Sequence, residues 1–162
     1  MEKNAKTEIA TFGAGCFWGV EEAFRKIPGV VSTQVGFMGG KAKNVSYRRV
    51  CEGDTGHAEV VHIEFDPSTV SYEKLLGVFW NSHNPTTLNR QGFDIGEQYR
   101  SVVFFHSEKQ KEIAEQSEAE LEKSKKFSRP IVTQIVPAAE FFRAEEYHQK
   151  YLLKRGQSVC PV

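Results

Sequence analysis

Cys16 stands in the run Gly13-Ala14-Gly15-Cys16-Phe17-Trp18-Gly19, directly after an apolar stretch and directly before residues with helical spacing. This predicts a thiol at a helix N-terminus. Unpaired N–H groups and the positive dipole end favour thiolate there, and can lower a cysteine pKa from about 8.5 towards roughly 3.5 to 7.5. Gly13 and Gly15 let the chain turn sharply out of a strand and let a ligand approach the backbone, which packing alone does not require. A small buried apolar filler is the alternative for any single cysteine. The flanking glycines favour the reactive reading.

Glu59 is the most informative partner. The run His57 to Phe65 alternates, so Glu59 shares a strand face with Val61, Ile63 and Phe65, while Ala58, Val60, His62 and Glu64 take the other. A carboxyl leading an apolar face is partly desolvated, which favours its protonated form and suits it to donate a proton. Tyr47 and Tyr99 offer uncharged O–H donors for a neutral oxygen, and Phe17 and Trp18 can wall an apolar slot beside the sulfur. Cys160 lies in a short C-terminal tail behind Gly156 and can swing to attack an oxidised Cys16. Cys51 is expected in a strand-like approach to Glu52-Gly53-Asp54, buried and inert. No histidine pair has the spacing of a metal motif, and His57 is the histidine nearest in sequence to a candidate site residue.

These residues need a scaffold. Thr7 to Ala14 reads as a strand, and Phe17, Val20, Phe24 and Ile27 recur at helical spacing until Pro28-Gly29. Val30 to Val35 reads as a second strand, followed by Gly36-Phe37-Met38-Gly39-Gly40 as a glycine loop. After the His57 to Phe65 strand, Ser71 caps a helix through Trp80 that ends before Asn84-Pro85, and a loop of glycines and polar residues runs to Gln98. Tyr99 to Phe105 is a strand, Ser107-Glu108-Lys109-Gln110 opens a charged helix to about Lys125, Ile131 to Val136 is a last strand, and Phe141 to Leu153 a final helix. The order favours an α+β fold: a ferredoxin-like two-layer sandwich with a mixed sheet, an extra C-terminal helix and a mobile tail over residues 155–162.

At 162 residues the chain is read as a single domain able to bury its own core. Lys plus Arg and Asp plus Glu both number 21, so there is no electrostatic footprint for nucleic acid or an anionic membrane. No apolar signal core or membrane span is legible, and a soluble, cytoplasmic monomer is expected. The three cysteines are far apart and fit neither a disulfide framework nor a zinc motif, so neither a metal nor a cofactor is expected.

Taken together, the residues resemble the A-type methionine sulfoxide reductases, which reduce the S epimer of methionine sulfoxide. The likeness runs over nearly the whole chain. It rests on Gly15-Cys16-Phe17-Trp18-Gly19, Gly36-Phe37-Met38-Gly39-Gly40, Tyr47, Thr55-Gly56-His57-Ala58-Glu59 and the block from Arg90 to Ser101, in that order. The resemblance implies Cys16 as nucleophile, Glu59 as proton donor, Tyr47 and Tyr99 as donors to the sulfoxide oxygen and Asp94 as a site residue. It implies that Phe17 and Trp18 receive the substrate methyl group. It further implies a Cys16 sulfenic acid, a Cys16–Cys160 disulfide, recycling by thioredoxin or a similar dithiol, and methionine sulfoxide, free or in proteins, as substrate. Phe37 stands where the family usually shows tyrosine, Ile95 where histidine is common, and the surroundings of Cys160 are poorer in glycine than is usual. Two other readings stay open: a cysteine hydrolase or acyl transferase with His57 as base for Cys16, and a non-catalytic binding module in which Cys16 is packed.

Overall fold

The computed structural model describes residues 6–43 and 45–157. Strand β1 (Glu8–Ala14) leads into helix α1 (Phe17–Arg25), strand β2 (Val30–Met38), the short helix α2 (Tyr47–Cys51) and strand β3 (Ala58–Phe65). Helix α3 (Tyr72–Asn81) follows, then the short strands β4 (Arg90–Gln91) and β5 (Asp94–Ile95), strand β6 (Ser101–Phe105) and helix α4 (Glu108–Ser124). Strands β7 (Gln134–Pro137) and β8 (Phe142–Arg143) and helix α5 (Tyr151–Lys154) complete the described chain.

The main sheet runs β7-β6-β1-β3-β2-β8. Its inner four strands are antiparallel and, with α1 and α3, form the ferredoxin-like βαββαβ unit; β7 adds in parallel to β6 and β8 antiparallel to β2. One sheet face packs under the helices, where Phe12, Val61, Ile63 and Phe65 meet Phe24, Leu75, Leu76, Phe79 and Ala114. The opposite face carries a smaller cluster of Met38, Val60, Val102 and Phe104, closed by Val136, Ala138 and Phe141. The α+β sandwich with a mixed sheet is thus as the residue pattern indicates. Helix starts are set by side chains: Ser71 Oγ accepts from the Lys74 N–H at 3.0 Å, and Ser107 Oγ from the Gln110 N–H at 3.2 Å.

Several segments depart from the sequence reading: the expected loop to Gln98 holds β4 and β5, Tyr99 ends a 3-10 turn ahead of β6, and the strand expected from Ile131 starts at Gln134 and is not the last. Gly36, Phe37 and Met38 are not loop but the end of β2, paired with Val60, Glu59 and Ala58. Glycine is required at position 36 by close approach, since a Cβ there would come within 2.3 Å of the Phe142 carbonyl oxygen. The expected helix from Phe141 to Leu153 is instead β8, a 3-10 turn at Glu146–His148 and the short α5. Here Gln149 replaces a helical neighbour for the sheet edge: its Oε1 accepts from the Val35 N–H at 2.8 Å and its Nε2 donates to the Val35 carbonyl at 3.0 Å. Lys150 then takes a left-handed φ of 54°, which breaks any continuous helix. Cys51 closes α2, not a strand, and is exposed, not buried.

The two glycines predict opposite outcomes in urea denaturation. Gly36→Ala loses about 2 kcal/mol or more through overpacking against β8. Gly77→Ala gains about 0.5–1 kcal/mol, because it lies inside α3 with nothing within 4 Å of the added Cβ. Equal effects at the two positions would contradict the packing of β8 on β2.

Candidate active site

The site gathers where β1 runs into α1. Gly15 takes a φ of +98°, a conformation that L side chains rarely adopt, and turns the chain so that Cys16 becomes the N-cap residue of α1. Cys16 is partly exposed, while Phe17 behind it is 1% exposed. The first free N–H of the helix, at Phe17, donates to Glu59 Oε1 at 3.2 Å. Glu59 itself is 1% exposed, so a carboxyl is held in the interior against the peptide that follows the thiol. The antiparallel register explains this placement: Phe12 lies opposite Val61, which brings Glu59 beside the end of β1 on the face covered by α1.

Two phenols reach the same region from different elements. Tyr47 starts α2, with its backbone N–H donating to Glu145 Oε1 at 3.2 Å, and Tyr99 ends the 3-10 turn Glu97–Tyr99. Burial is the largest cause pushing the ionisation of both well above the ordinary phenol range, and the Glu59 carboxylate adds to it. Asp94 and Cys16 raise Tyr99 further, which places them within electrostatic reach of that hydroxyl. Both phenols therefore remain neutral donors at physiological pH. Asp94 lies on the exposed β4–β5 hairpin, whose Gln91 packs against Gly15.

The aromatic wall is more extensive than Phe17 and Trp18. Phe17 stacks with Tyr47 at 6.0 Å between ring centroids, and Trp18 stacks with Tyr151 at 3.7 Å with the rings nearly parallel. The Trp18 indole N–H donates to His148 Nδ1 at 2.9 Å, so that nitrogen is the acceptor and the ring is the neutral Nε2–H tautomer. Burial lowers the His148 pKa, opposed by Glu145, in keeping with that form. Glu21 anchors this C-terminal segment to α1, accepting from the Lys150 N–H at 2.7 Å and the Thr33 hydroxyl at 2.7 Å.

Sequence reasoning missed His148, Tyr151 and Gln91. The signal available was the Trp18 indole, which needs an acceptor once half-buried; nothing local says that the acceptor lies 130 residues away. Cys51, read as inert, touches the site: although the residue as a whole is exposed, its thiol meets the Tyr47 and Tyr99 hydroxyls, which hydrogen-bond it, and partial desolvation of the sulfur, the larger effect, pushes that thiol up. His57 is accounted for structurally. Its Nδ1 accepts from the Gly40 N–H at 3.0 Å and its Nε2 meets the Ala42 carbonyl at 2.6 Å, so both ring nitrogens hold the loop after β2. This removes the base that a hydrolase reading requires. Cys160 lies outside the described residues. Among the described residues there is no cluster of His, Cys, Asp and Glu able to hold a metal ion.

A thiol at a helix start, a buried carboxyl behind it and neutral phenols beside an aromatic wall lie together at one place in the fold, an arrangement suited to thiol chemistry on a neutral, polar oxygen. The family described as peptide methionine sulfoxide reductase matches residues 8–162. The chain is 61% identical over 160 residues to the peptide methionine sulfoxide reductase MsrA of Methanoculleus marisnigri, covering 99% of this chain and 98% of that one. Among solved structures it is similar to Mxr1 of Saccharomyces cerevisiae in reduced form, with a TM-score of 0.89 and 37% identity over 99% of this chain and 92% of that one. Methionine sulfoxide reductase A of Corynebacterium diphtheriae matches with a TM-score of 0.85 and 37% identity over 98% and 79%. The chain belongs to the peptide methionine sulfoxide reductase family.

The raised phenols are open to direct measurement. Ultraviolet titration of the protein against its Tyr47→Phe and Tyr99→Phe variants is expected to show the missing phenolate signal only above pH ~10, the unperturbed value. A signal completed below that pH would contradict the buried, carboxylate-facing placement.

Proposed function

We propose that this chain reduces the S epimer of methionine sulfoxide, in peptides or as the free amino acid, to methionine. The observation that carries the reading is the hydrogen bond from the Phe17 N–H to the buried Glu59 carboxyl, immediately behind Cys16. A sulfoxide is neutral, polar at its oxygen and apolar at its methyl group. Trp18 and Phe17 suit the methyl, and the Tyr47 and Tyr99 hydroxyls suit the oxygen.

The thiolate of Cys16 attacks the sulfoxide sulfur while Glu59 supplies a proton to the oxygen, which would otherwise leave as a poor anion. The attack forms a bond between the two sulfurs; that bond then breaks, its electron pair staying on the methionine sulfur, as the protonated oxygen passes to the Cys16 sulfur, so the substrate sulfur is reduced by two electrons and Cys16 is oxidised by two to a sulfenic acid. The thiol of Cys160 then displaces water from the sulfenic acid to form a disulfide, and an external dithiol of the thioredoxin kind, in the cytoplasm, restores both thiols. Asp94 completes the rim of the site.

Each blocked epimer is incubated with the protein and dithiothreitol. Turnover of the S epimer alone is expected, and its absence sinks the reading. Glu59→Gln is expected to slow the reaction by about 10²–10⁴-fold, the range for losing a positioned general acid. Cys160→Ser is expected to reduce one equivalent of substrate yet stall when a thioredoxin system is the reductant; undiminished cycling removes Cys160 from the mechanism.

A further inference from the structure

Cys16 stands between two residues that are each held from outside α1. On one side the Phe17 N–H is taken by Glu59. On the other, Gly15 lies under the side chain of Gln91: a Cβ on Gly15 would come within 2.8 Å of the Gln91 Cγ and 3.1 Å of its Cβ. Gly15 takes a φ of +98°. A glycine has more backbone freedom to lose than any other residue, so a turn built on it depends on contacts from outside.

Gln91 can press on that turn because its amide is anchored elsewhere. Its Oε1 accepts from the Asn84 N–H at 2.9 Å, and its Nε2 donates to the Asn84 carbonyl at 2.6 Å and to the Thr87 hydroxyl at 3.3 Å. An N–H and a carbonyl of the same residue fix which end of the amide is which, and at neutral pH a glutamate would lack the donor and a methionine both groups. Asn84 follows His83, which is itself fixed at both ring nitrogens. Its Nδ1 donates to the Phe79 carbonyl at 2.8 Å, so its Nε2 accepts from the Ser101 hydroxyl at 2.6 Å. Burial pushes the pKa of this imidazole down to about 4, so the link stays neutral near neutral pH. Ser101 in turn pairs with Ala14 in the sheet. The contacts close a ring, from Ala14 through Ser101, His83, Asn84 and Gln91 back to Gly15, around the two residues that precede the thiol.

We propose that Gln91 is a positioning residue for Cys16: with its amide pinned to Asn84, its stem holds the Gly15 turn that sets the sulfur at the N-cap of α1. The proposal rests on Cys16 being the reacting sulfur of the reductase. A helix end favours thiolate only over its first turn, so a sulfur that wanders from the cap loses that stabilisation. A reacting group displaced by about 1 Å can lose ~10²-fold in rate. Gln91 also pairs with Asp94 across the hairpin, so the same anchor carries the carboxyl at the rim of the site.

The test is the pH profile of Cys16 alkylation by iodoacetamide, read on the Cys16 peptide by mass spectrometry so that Cys51 and Cys160 do not contribute. Gln91→Ala, which removes stem and amide together, is expected to shift the profile upward by about half a pH unit, the size of a helix-end effect. It is also expected to slow a single turnover of saturating N-acetylmethionine S-sulfoxide by roughly tenfold, within the range for a misplaced nucleophile. Gln91→Met, which keeps a stem but neither amide bond, is expected to move both measures in the same direction by less. Arg90→Lys is the control for the hairpin as such. It keeps the charge and gives up the grip of Nε and Nη2 on the Gly92 carbonyl, at 3.3 and 3.0 Å, and both measures are expected to match the unaltered protein. An unshifted or downward profile in Gln91→Ala, or an unchanged turnover, overturns the brace; a downward shift is the sign of a displaced Asp94 carboxylate instead. An equal change in Arg90→Lys overturns it too, as a general loosening of the hairpin. Failure of the unaltered protein to reduce the sulfoxide refutes the reductase reading, and the alkylation profile alone then decides the brace.

Discussion

The structure depends on keeping a carboxyl in the interior at the start of a helix. Glu59 is 1% exposed and accepts the Phe17 N–H, so the one strongly polar side chain on an otherwise apolar strand face is satisfied by a peptide group that α1 leaves unpaired. This contact ties β3 to the first turn of α1, directly beside Cys16. The phenols nearby share the same poorly solvated region, and burial is the main reason they are hard to ionise, with Glu59 adding to it whenever it is ionised.

The remainder of the molecule serves that arrangement through connections distant in sequence. Glu21, one turn beyond Trp18 on α1, binds the Lys150 backbone and thereby brings His148 and Tyr151 against the Trp18 indole. Gln149 sutures the same segment to β2. The wall proposed to receive a methyl group is therefore shaped by a C-terminal segment that contributes little regular structure of its own. Such a wall suits a substrate whose apolar end needs a fixed slot while its oxygen meets neutral donors.

What could be read from the residues followed how local the governing physics was. Ser71 and Ser107 cap their helices through neighbours three residues on, and the alternation of Val61, Ile63 and Phe65 with Val60 and His62 reflects the pleat of one strand; both were legible. Cys16 and Glu59 were legible for the same reason, one from the glycine turn and the other from its position on that face. The end of β2 was not, because Gly36 signals a loop locally while its role is to admit the Phe142 carbonyl of β8. His148 was hidden likewise, its partner being fixed by tertiary packing, and Cys51 was misjudged because it ends a short helix that brings its thiol to the two phenols.

The proposed chemistry requires the oxygen of the substrate to pass to Cys16 beside Glu59. Its most direct test is a single turnover of the Cys160→Ser protein with stoichiometric S-sulfoxide, trapped with a sulfenic-acid reagent and mapped by mass spectrometry. One adduct on Cys16, with one methionine formed per chain, is the expected result. Methionine formed with the adduct on Cys51, or with no adduct on Cys16, would contradict it.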